Sequence, residues 1–420
     1  MFLPHSGFVQ QLKQGRGFNN MVTSYKTVCV IGLGYIGLPT ASLLGTKGYQ
    51  VHGVDVSQSV VDTINSGGIH IVEPDLDILV KSAVGAGNLK AGLEPVESDI
   101  FIIAVPTPFK DDHQPDLSYV EQATRTISPY LKPGNLVILE STSPIGTTDE
   151  VVAKILAEEG HGTDIFIAHC PERVLPGRIL IELVQNDRVV GGINEESAQV
   201  AVDFYETFVS GEVLATSAKT AEMVKLTENA YRDVNIAFAN ELSMICDQES
   251  INTWEVIQLA NRHPRVNILQ PGPGVGGHCI AVDPWFIVSR APELSRLIRT
   301  AREVNDSKPQ WVLEQVRKQA DRFKNPVIGC LGLAFKADVD DLRESPALDI
   351  VRTLVKDDIG QVLVCEPNLK QHPEFSLLTL DELIKRADIL LLLVDHKPFK
   401  KLTAKGLKDK ILIDTRGIVS

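Results

Sequence analysis

The chain has 420 residues, 44% of them hydrophobic and 23% charged, with a formal net charge of −13. That length outgrows a single core, so two or three domains are expected. The acidic balance, with no polybasic run, argues against a nucleic-acid partner or a membrane-surface role.

Residues 1–20 are rich in Gln, Asn and Gly and lack the apolar stretch of a secretory signal. They read as a mobile extension or a start-site artefact, with no function assigned. From Thr27, short apolar runs alternate with helix-like stretches: TVCVIGLG, QVHGVD, FIIAV (101–105), LVILE (136–140), IFIAH (165–169) and VVGG (189–192). Runs this short, without polar alternation, suit strands buried on both faces. Their repetition with helices between them predicts a parallel α/β sheet reaching about Phe208. Residues 218–260 contain neither Gly nor Pro, so a long helix and a successor are expected there. The stretch HPRVNILQPGPGVGGHC (263–279) cannot be helical throughout. From about Asn325 the α/β theme returns in VIGCLGLA, a helix from about Ser345, VLVCE, another helix, DILLLLVD and ILIDT. The longest apolar runs, such as Ala387–Val394, are far too short to span a bilayer.

VCVIGLGYIGLPTA puts Gly32, Gly34 and Gly37 directly after a strand and at the mouth of a helix. The first glycine permits the tight turn, the second lets backbone approach a pyrophosphate, and the third lets helix and strand pack closely. The second strand ends in Asp55, where a carboxylate accepts bonds from ribose hydroxyls and repels a 2′-phosphate, favouring NAD over NADP. The fold class is therefore expected to be α/β, with two Rossmann-like parallel-sheet domains joined by a central helical segment. The boundaries fall at 1–20 (extension), 21–209 (NAD-binding), 210–310 (central helices with the catalytic loop) and 311–420 (second Rossmann-like domain). Cofactor and substrate are expected to meet in a cleft between the two α/β domains. Thr107 in AVPTP and Thr142 in ESTSPIG follow strand ends. Both are candidates for cofactor contact, with helix capping the alternative.

Six cysteines stand at 29, 170, 246, 279, 330 and 365, without CxxC or Cys/His metal spacing, and no metal is expected. Their scatter in a chain this long suits a reducing compartment, and a cytoplasmic location is expected. Cys279 differs from the rest, which sit in apolar runs and read as inert core. It lies in GPGVGGHCIAVD, where glycines free the backbone to wrap a ligand, and is a candidate nucleophile. On the long helix Lys225, Asn229 and Arg232 share one face, while Leu226, Ala230, Val234 and Ala237 form an apolar stripe. Such a face can simply be solvated, yet Asn in mid-helix is an unfavoured choice without a task. Lys225 can act as an acid/base or oxyanion stabiliser, with Asn229 donating a second bond. Asp283, four residues after Cys279, activates a water or merely opens a turn before Pro284. Arg262, His263 and Arg265 bring positive charge near the glycine loop. Lys336, Asp341 and Arg343 follow a strand of the second α/β domain and suit a diphosphate, although Arg343 can instead pair with Asp341 or Glu344.

Five ordered motifs carry a resemblance: GLGYIGLP, PERVLPG, KLTENAYRD, GPGVGGHCIAVDPW and LAFKADVDDLRESP. From about Thr27 to its end the chain resembles the UDP-glucose/GDP-mannose dehydrogenase family. LANRHPRVNILQPGPGVGGHCIAVDPWFIV, PTPFK and LVDH look most like the branch acting on UDP-N-acetyl-D-mannosamine. The resemblance implies NAD-dependent four-electron oxidation at carbon 6 of a UDP-sugar, through a thiohemiacetal and thioester on Cys279, for surface polysaccharide synthesis. It makes Lys225 the acid/base or oxyanion partner, with Asn229 assisting. It gives Asp283 a part in proton transfer or hydrolysis, and links Glu172 of the Pro-Glu motif to the water step. Substrate contacts implied are Arg173, Val174, Lys225, Asn229, Arg232, His263, Arg265, Gly276, Phe335, Lys336 and Arg416. Tyr35, Ile36, Asp55, Thr107, Thr142 and Arg343 would contact NAD. Arg416 stands where relatives often carry lysine, keeping the charge but adding a planar fork. A homodimer through the central helices is also implied. Three rival readings stay open: UDP-N-acetylglucosamine as substrate, a two-electron dehydrogenase with a structural Cys279, and a non-catalytic NAD or nucleotide-sugar binder.

Overall fold

The computed structural model describes residues 25–175, 177–277 and 279–419, so the expectation for residues 1–20 lies outside them. The chain divides into two compact units, with the boundary between Thr227 and Glu228. The first unit is built on eight strands. These are β1 (Thr27–Ile31), β2 (Gln50–Val54), β3 (Leu89–Gly92), β4 (Ile100–Ile103), β5 (Leu136–Leu139), β6 (Phe166–His169), β7 (Arg188–Gly192) and β8 (Val213–Ser217). Their order in the sheet is β3-β2-β1-β4-β5-β6-β7-β8. Side-chain alternation sends Val28 and Val30 into one core with Leu38 and Leu44, and Cys29 and Ile31 into another with Val120 and Leu156. Burial on both faces explains why these strands read as unbroken apolar runs.

The sheet is mostly parallel, as expected, with one reversal. β1 to β6 are mutually parallel, but β7 runs antiparallel to β6, pairing His169 with Gly191, and β8 follows β7 in parallel. The helix between them, Ile179–Gln185, has 7 residues. At 1.5 Å per residue it is too short to return the chain along a strand. β7 therefore starts at the carboxyl edge of β6 and runs back along it. A run such as VVGG looks the same in either direction, so its sequence could not reveal this. The edge strands β3 and β8 escaped the sequence reading because an edge strand is only half covered: LKAG has no apolar run, and VLATS has only three apolar residues, none of them buried.

Helix Ala218–Gln248 spans the unit boundary. In the second unit it is followed by helices Thr253–Ala260, Asp283–Arg290 and Arg296–Ala320. A four-stranded parallel sheet closes the unit, ordered β10-β9-β11-β12, from β9 (Val327–Leu331), β10 (Gln361–Cys365), β11 (Ile389–Leu392) and β12 (Ile411–Asp414). It too is packed on both faces, with Ile328 and Cys330 on one side and Leu331 and Leu383 on the other.

A buried polar ladder joins helices Ala218–Gln248 and Arg296–Ala320. Arg302 Nη1 meets Asp233 Oδ1 at 2.5 Å, and Asn305 donates to the same carboxylate at 2.8 Å. Asn240 donates to Asn305 at 2.8 Å, and Lys308 Nζ donates to Ser243 Oγ at 2.6 Å. Lys308 is almost completely buried and stacks on the Trp311 ring at 3.9 Å. Burial pulls its ammonium from 10.5 down to about 7, while the ring face favours the charged form. Between those two values the unfolded chain binds the extra proton, so this residue's contribution to stability rises with pH across that window. Lys308→Met, neutral at every pH, is expected to gain most over the wild type near pH 7 and to lose that margin towards pH 10. Urea midpoints of both proteins measured across this range test it.

Candidate functional site

In the first unit β1 ends at Gly32, whose φ is +91 and whose N–H donates to Val54 O at 2.8 Å. A Cβ there would lie 2.7 Å from Ala104 O, so only glycine turns at this point. Gly37 opens helix Gly37–Thr46, and a Cβ on it would meet Gly32 O at 1.8 Å. Gly34 differs: a Cβ there meets nothing within 4 Å. That open side, at the N-terminus of the helix, is where an anion can approach bare N–H groups. Ile36 is the N-cap residue and makes no side-chain cap bond, and Tyr35 beside it is exposed. Asp55 follows β2, half-buried, its Oδ2 accepting Leu33 N–H at 3.1 Å and its Oδ1 accepting Ser57 N–H at 3.0 Å. The turn and the carboxylate thus form one piece, and the residues fit a dinucleotide.

Thr107 and Thr142 are brought together, Thr107 Oγ1 donating to the Thr142 carbonyl at 2.5 Å, and neither caps a helix. The following turn is held by Glu222, a buried carboxylate accepting Gly146 N–H at 2.5 Å and Thr148 N–H at 2.8 Å. Glu172 is buried with both oxygens engaged: Oε2 pairs with Arg188 at 2.8 Å and Oε1 accepts Arg173 N–H at 2.7 Å. The antiparallel register of β6 and β7, continued along the chain, sets these two residues opposite each other. Arg173 donates to Asp187 O at 2.7 Å, and Val174 packs on the core. Glu73 secures the far end of this segment, accepting the N–H groups of Gly177 and Ile179, both at 2.8 Å. Lys225 is half-buried on the long helix.

In the second unit Asn229 and Asp283 are joined: Asn229 Nδ2 donates to Asp283 Oδ2 at 2.6 Å, both residues buried. Asp283 is the first residue of helix Asp283–Arg290, and its N–H donates to Cys279 O at 2.9 Å. Cys279 is exposed, whereas the other five cysteines are buried. Burial pushes the thiols of Cys29, Cys170, Cys330 and Cys365 up to about 12, which leaves them inert at neutral pH. The glycines before Cys279 allow the loop to lie against the 335–346 segment. A Cβ on Gly276 would meet Glu344 O at 2.2 Å and Phe335 Cβ at 3.1 Å, and Gly277, at φ +83, sits against the Phe335 ring. The start of the loop is tied by Asn240, which accepts Gly272 N–H at 2.9 Å.

Arg416 reaches the same loop, meeting Asp395 Oδ1 at 2.9 Å and Pro271 O at 3.5 Å. Arg232 and Lys336 are exposed. His263 and Arg265 occupy an exposed loop closed by Asn261, which both donates to and accepts from Ile268. Arg343 forms a fork with Asp341, Nη2 to Oδ2 at 2.6 Å, which is the pairing its sequence left open. Glu73, Glu222, Asn240, Glu366 and His396 were missed. For Asn240 the signal was present, since the argument applied to a mid-helix Asn229 holds equally for it. Among the described residues no group of three His, Cys, Asp or Glu could hold a metal ion, and no helix is long and apolar enough to cross a membrane.

A glycine turn built for a pyrophosphate, a carboxylate at the next strand end and an exposed thiol beside a buried Asn–Asp pair are the equipment of a nicotinamide-dependent oxidoreductase. Family models describe the chain in three stretches of the UDP-glucose/GDP-mannose dehydrogenase family: the NAD binding domain at 26–209, the central domain at 219–307 and the UDP binding domain at 329–420. The chain belongs to this family and is an NAD-dependent nucleotide-sugar dehydrogenase. It is 58% identical to the NDP-N-acetyl-D-galactosaminuronic acid dehydrogenase of Ralstonia nicotianae, over 94% of this chain and 97% of the relative. It is 57% identical to the UDP-N-acetyl-D-mannosamine dehydrogenase of Campylobacter jejuni, over 90% of this chain and 97% of the relative. Among solved structures, the UDP-N-acetyl-mannosamine dehydrogenase of S. aureus aligns at a TM-score of 0.87 with 44% identity, covering 94% of this chain and 96% of that one.

Gly276→Ala forces the cysteine loop off the 344–346 backbone without touching a core. It is expected to lower kcat/KM by about a hundredfold, the scale of an ångström's misplacement within a site. The melting temperature should change little, and calorimetry beside initial rates checks both.

Proposed function

We propose that the enzyme oxidises UDP-N-acetyl-D-mannosamine at carbon 6 to the uronate, releasing two NADH per sugar, with Cys279 as nucleophile. The observation that carries this reading is the single exposed thiol among buried ones, one turn from an Asp283 that is hydrogen-bonded to Asn229. The Gly32–Gly37 turn and Asp55 would hold NAD, which would supply the hydride acceptor for both oxidations. After the first, the Cys279 thiolate adds to the aldehyde carbon and the new alkoxide takes a proton, giving a thiohemiacetal. The second oxidation leaves a thioester, and water then adds to its carbonyl, releasing the carboxylate and restoring the thiol. Lys225 steadies the developing oxyanion, and Asn229 keeps Asp283 aimed for proton transfer. Glu172, engaged by Arg188, acts through the segment it anchors. Arg173, Val174, Arg232, His263, Arg265, Phe335, Lys336 and Arg416 serve the nucleotide sugar.

The N-acetylmannosamine assignment is supported by relatives from Yersinia pestis and Campylobacter jejuni bearing that substrate in their names, at 54% and 57% identity. The Ralstonia relative, at 58%, favours a second reading with an N-acetylgalactosamine nucleotide, a sugar that differs from N-acetylmannosamine only in configuration at carbons 2 and 4, which few contacts separate. NADH yield from limiting UDP-N-acetylmannosamine, UDP-N-acetylgalactosamine, UDP-N-acetylglucosamine and UDP-glucose is the test. Two NADH from the first alone are expected. Two from another sugar would keep the mechanism and change the substrate, and one or none from all would refute the thiol route. Cys279→Ser is expected to cut turnover by on the order of a thousandfold while leaving NAD binding intact.

Tyr231, Phe238 and Ile245 recur every seven residues on the long helix and are each more than half exposed. A second copy of the chain covers this apolar stripe, forming a homodimer through the central helices. Phe238→Glu should turn a dimer into a monomer by sedimentation velocity, and a wild-type monomer at assay concentration would refute the claim. A reducing cytoplasm suits an exposed nucleophilic thiol, and the uronate product suits surface polysaccharide synthesis.

A further inference from the structure

The second unit repeats the turn of the first in its hydrogen bonding. Gly332 N–H donates to Cys365 O at 2.9 Å, as Gly32 N–H does to Val54 O at 2.8 Å. Leu333 N–H donates to Glu366 Oε2 at 2.7 Å, as Leu33 N–H does to Asp55 Oδ2 at 3.1 Å. The two carboxylates then part company. Asp55 is half-buried, whereas Glu366 is only 3% exposed and His396 covers it, with Nε2 3.0 Å from Oε2. Ala334 N–H also reaches Oε2 at 3.2 Å, and Asn368 N–H reaches Oε1 at 3.0 Å. Burial raises the Glu366 carboxyl, but the His396 ring and the backbone N–H groups outweigh it and hold the acid below its ordinary range. A carboxylate closed over in this way has no reach left for a ribose.

The other ring nitrogen of His396 fixes the tautomer. Asp338 N–H lies 2.9 Å from Nδ1, and a backbone N–H can only donate. The Asn368 side-chain amide lies 2.8 Å from the same nitrogen. Nδ1 is therefore the acceptor, and the ring proton sits on Nε2, facing Glu366. Asp338 holds a left-handed φ of +60, and its Oδ1 accepts Lys397 N–H at 2.9 Å. It lies in the 335–345 segment between Phe335 and Arg343. The relay Glu366–His396–Asp338 thus ties a fixed carboxylate to a loop that is otherwise exposed at Lys336 and Arg343.

We propose that His396 is a positioning residue for nucleotide-sugar binding: neutral, protonated on Nε2, it hangs the Asp338 backbone, and with it Phe335 and Lys336, from the buried Glu366 carboxylate. The inference rests on the reading that the 335–345 segment holds the nucleotide. Gln at this position can accept from Asp338 and donate to Glu366, whereas Ala can do neither. His396→Ala is expected to raise KM for the nucleotide sugar, and the dissociation constant of UDP alone, by about tenfold, the scale of one lost charge-assisted hydrogen bond. kcat should move by less than about twofold, and His396→Gln should recover most of the loss. Unchanged UDP affinity in His396→Ala, or a fall in kcat at constant KM, would overturn the proposal.

Should the Ala variant fail to fold, the wild type decides through 15N-histidine spectra, with the His396 signal assigned by its loss in His396→Gln. A proton on Nε2 together with slow exchange of the Asp338 amide supports the relay, and a proton on Nδ1 refutes it. UDP affinity is read without turnover. A failure of the proposed substrate is thereby distinguished from a failure of the relay.

Discussion

Asp233 and Arg302 are buried almost completely, and the second unit is organised around keeping them paired. Arg302 also pairs with Asp306, so the costly deletion is that of Arg302, about 3–5 kcal/mol, which leaves Asp233 as a buried charge without a cation. The pair sets how helix Ala218–Gln248 meets helix Arg296–Ala320, and its consequences run along both. Seven residues on from Asp233, Asn240 joins the ladder through Asn305 and also accepts Gly272 N–H, so the cysteine loop starts from a fixed point. Four residues before Asp233, Asn229 meets Asp283 at the other end of that loop. One helix therefore holds both ends of the segment that carries Cys279.

Between those ends the loop keeps its place by close backbone approach rather than by side-chain packing. Gly276 leaves no room for a methyl group against Glu344, as Gly37 leaves none against Gly32. Glycine serves two purposes here. At Gly32 and Gly277 it supplies a positive φ, and at Gly37 and Gly276 it supplies absence of volume. The two units also use a shared turn for different ends. In the first the acid after β2 stays half-open towards a ligand, and in the second the acid after β10 is closed over and its hydrogen-bonding capacity is passed to a loop.

Much of this was legible beforehand because it depends on local chemistry. Doubly buried strands announce themselves as apolar runs, a glycine turn by its spacing, and a long helix by forty-three residues (218–260) without Gly or Pro. Asn229 stood out because mid-helix asparagine needs a reason, and its partner Asp283 was named, although their bond was not. Arg343 was left between two tasks, and its fork with Asp341 emerged only from the fold. The reversal of β7 was illegible, since strand direction is a matter of where the connection ends and not of which residues pair. Glu366 was within reach, as VLVCE ends in an acid just as QVHGVD does, but nothing nearby in the chain suggests that His396, 30 residues on, would cover it.

The sequence by itself determined the element types, the two α/β sheets, the dinucleotide turn and the identity of the chemical groups, all of which follow from spacing, propensity and side-chain chemistry within a few residues. Only the tertiary structure decided which carboxylates stay available and which are consumed. Glu172, Glu222 and Glu366 are buried beneath partners 16, 74 and 30 residues away, while Asp55 is left half-open. The reason is physical: a carboxylate's role depends on how many donors surround it and how much water remains, and those are set by contacts between segments that the chain order does not encode locally.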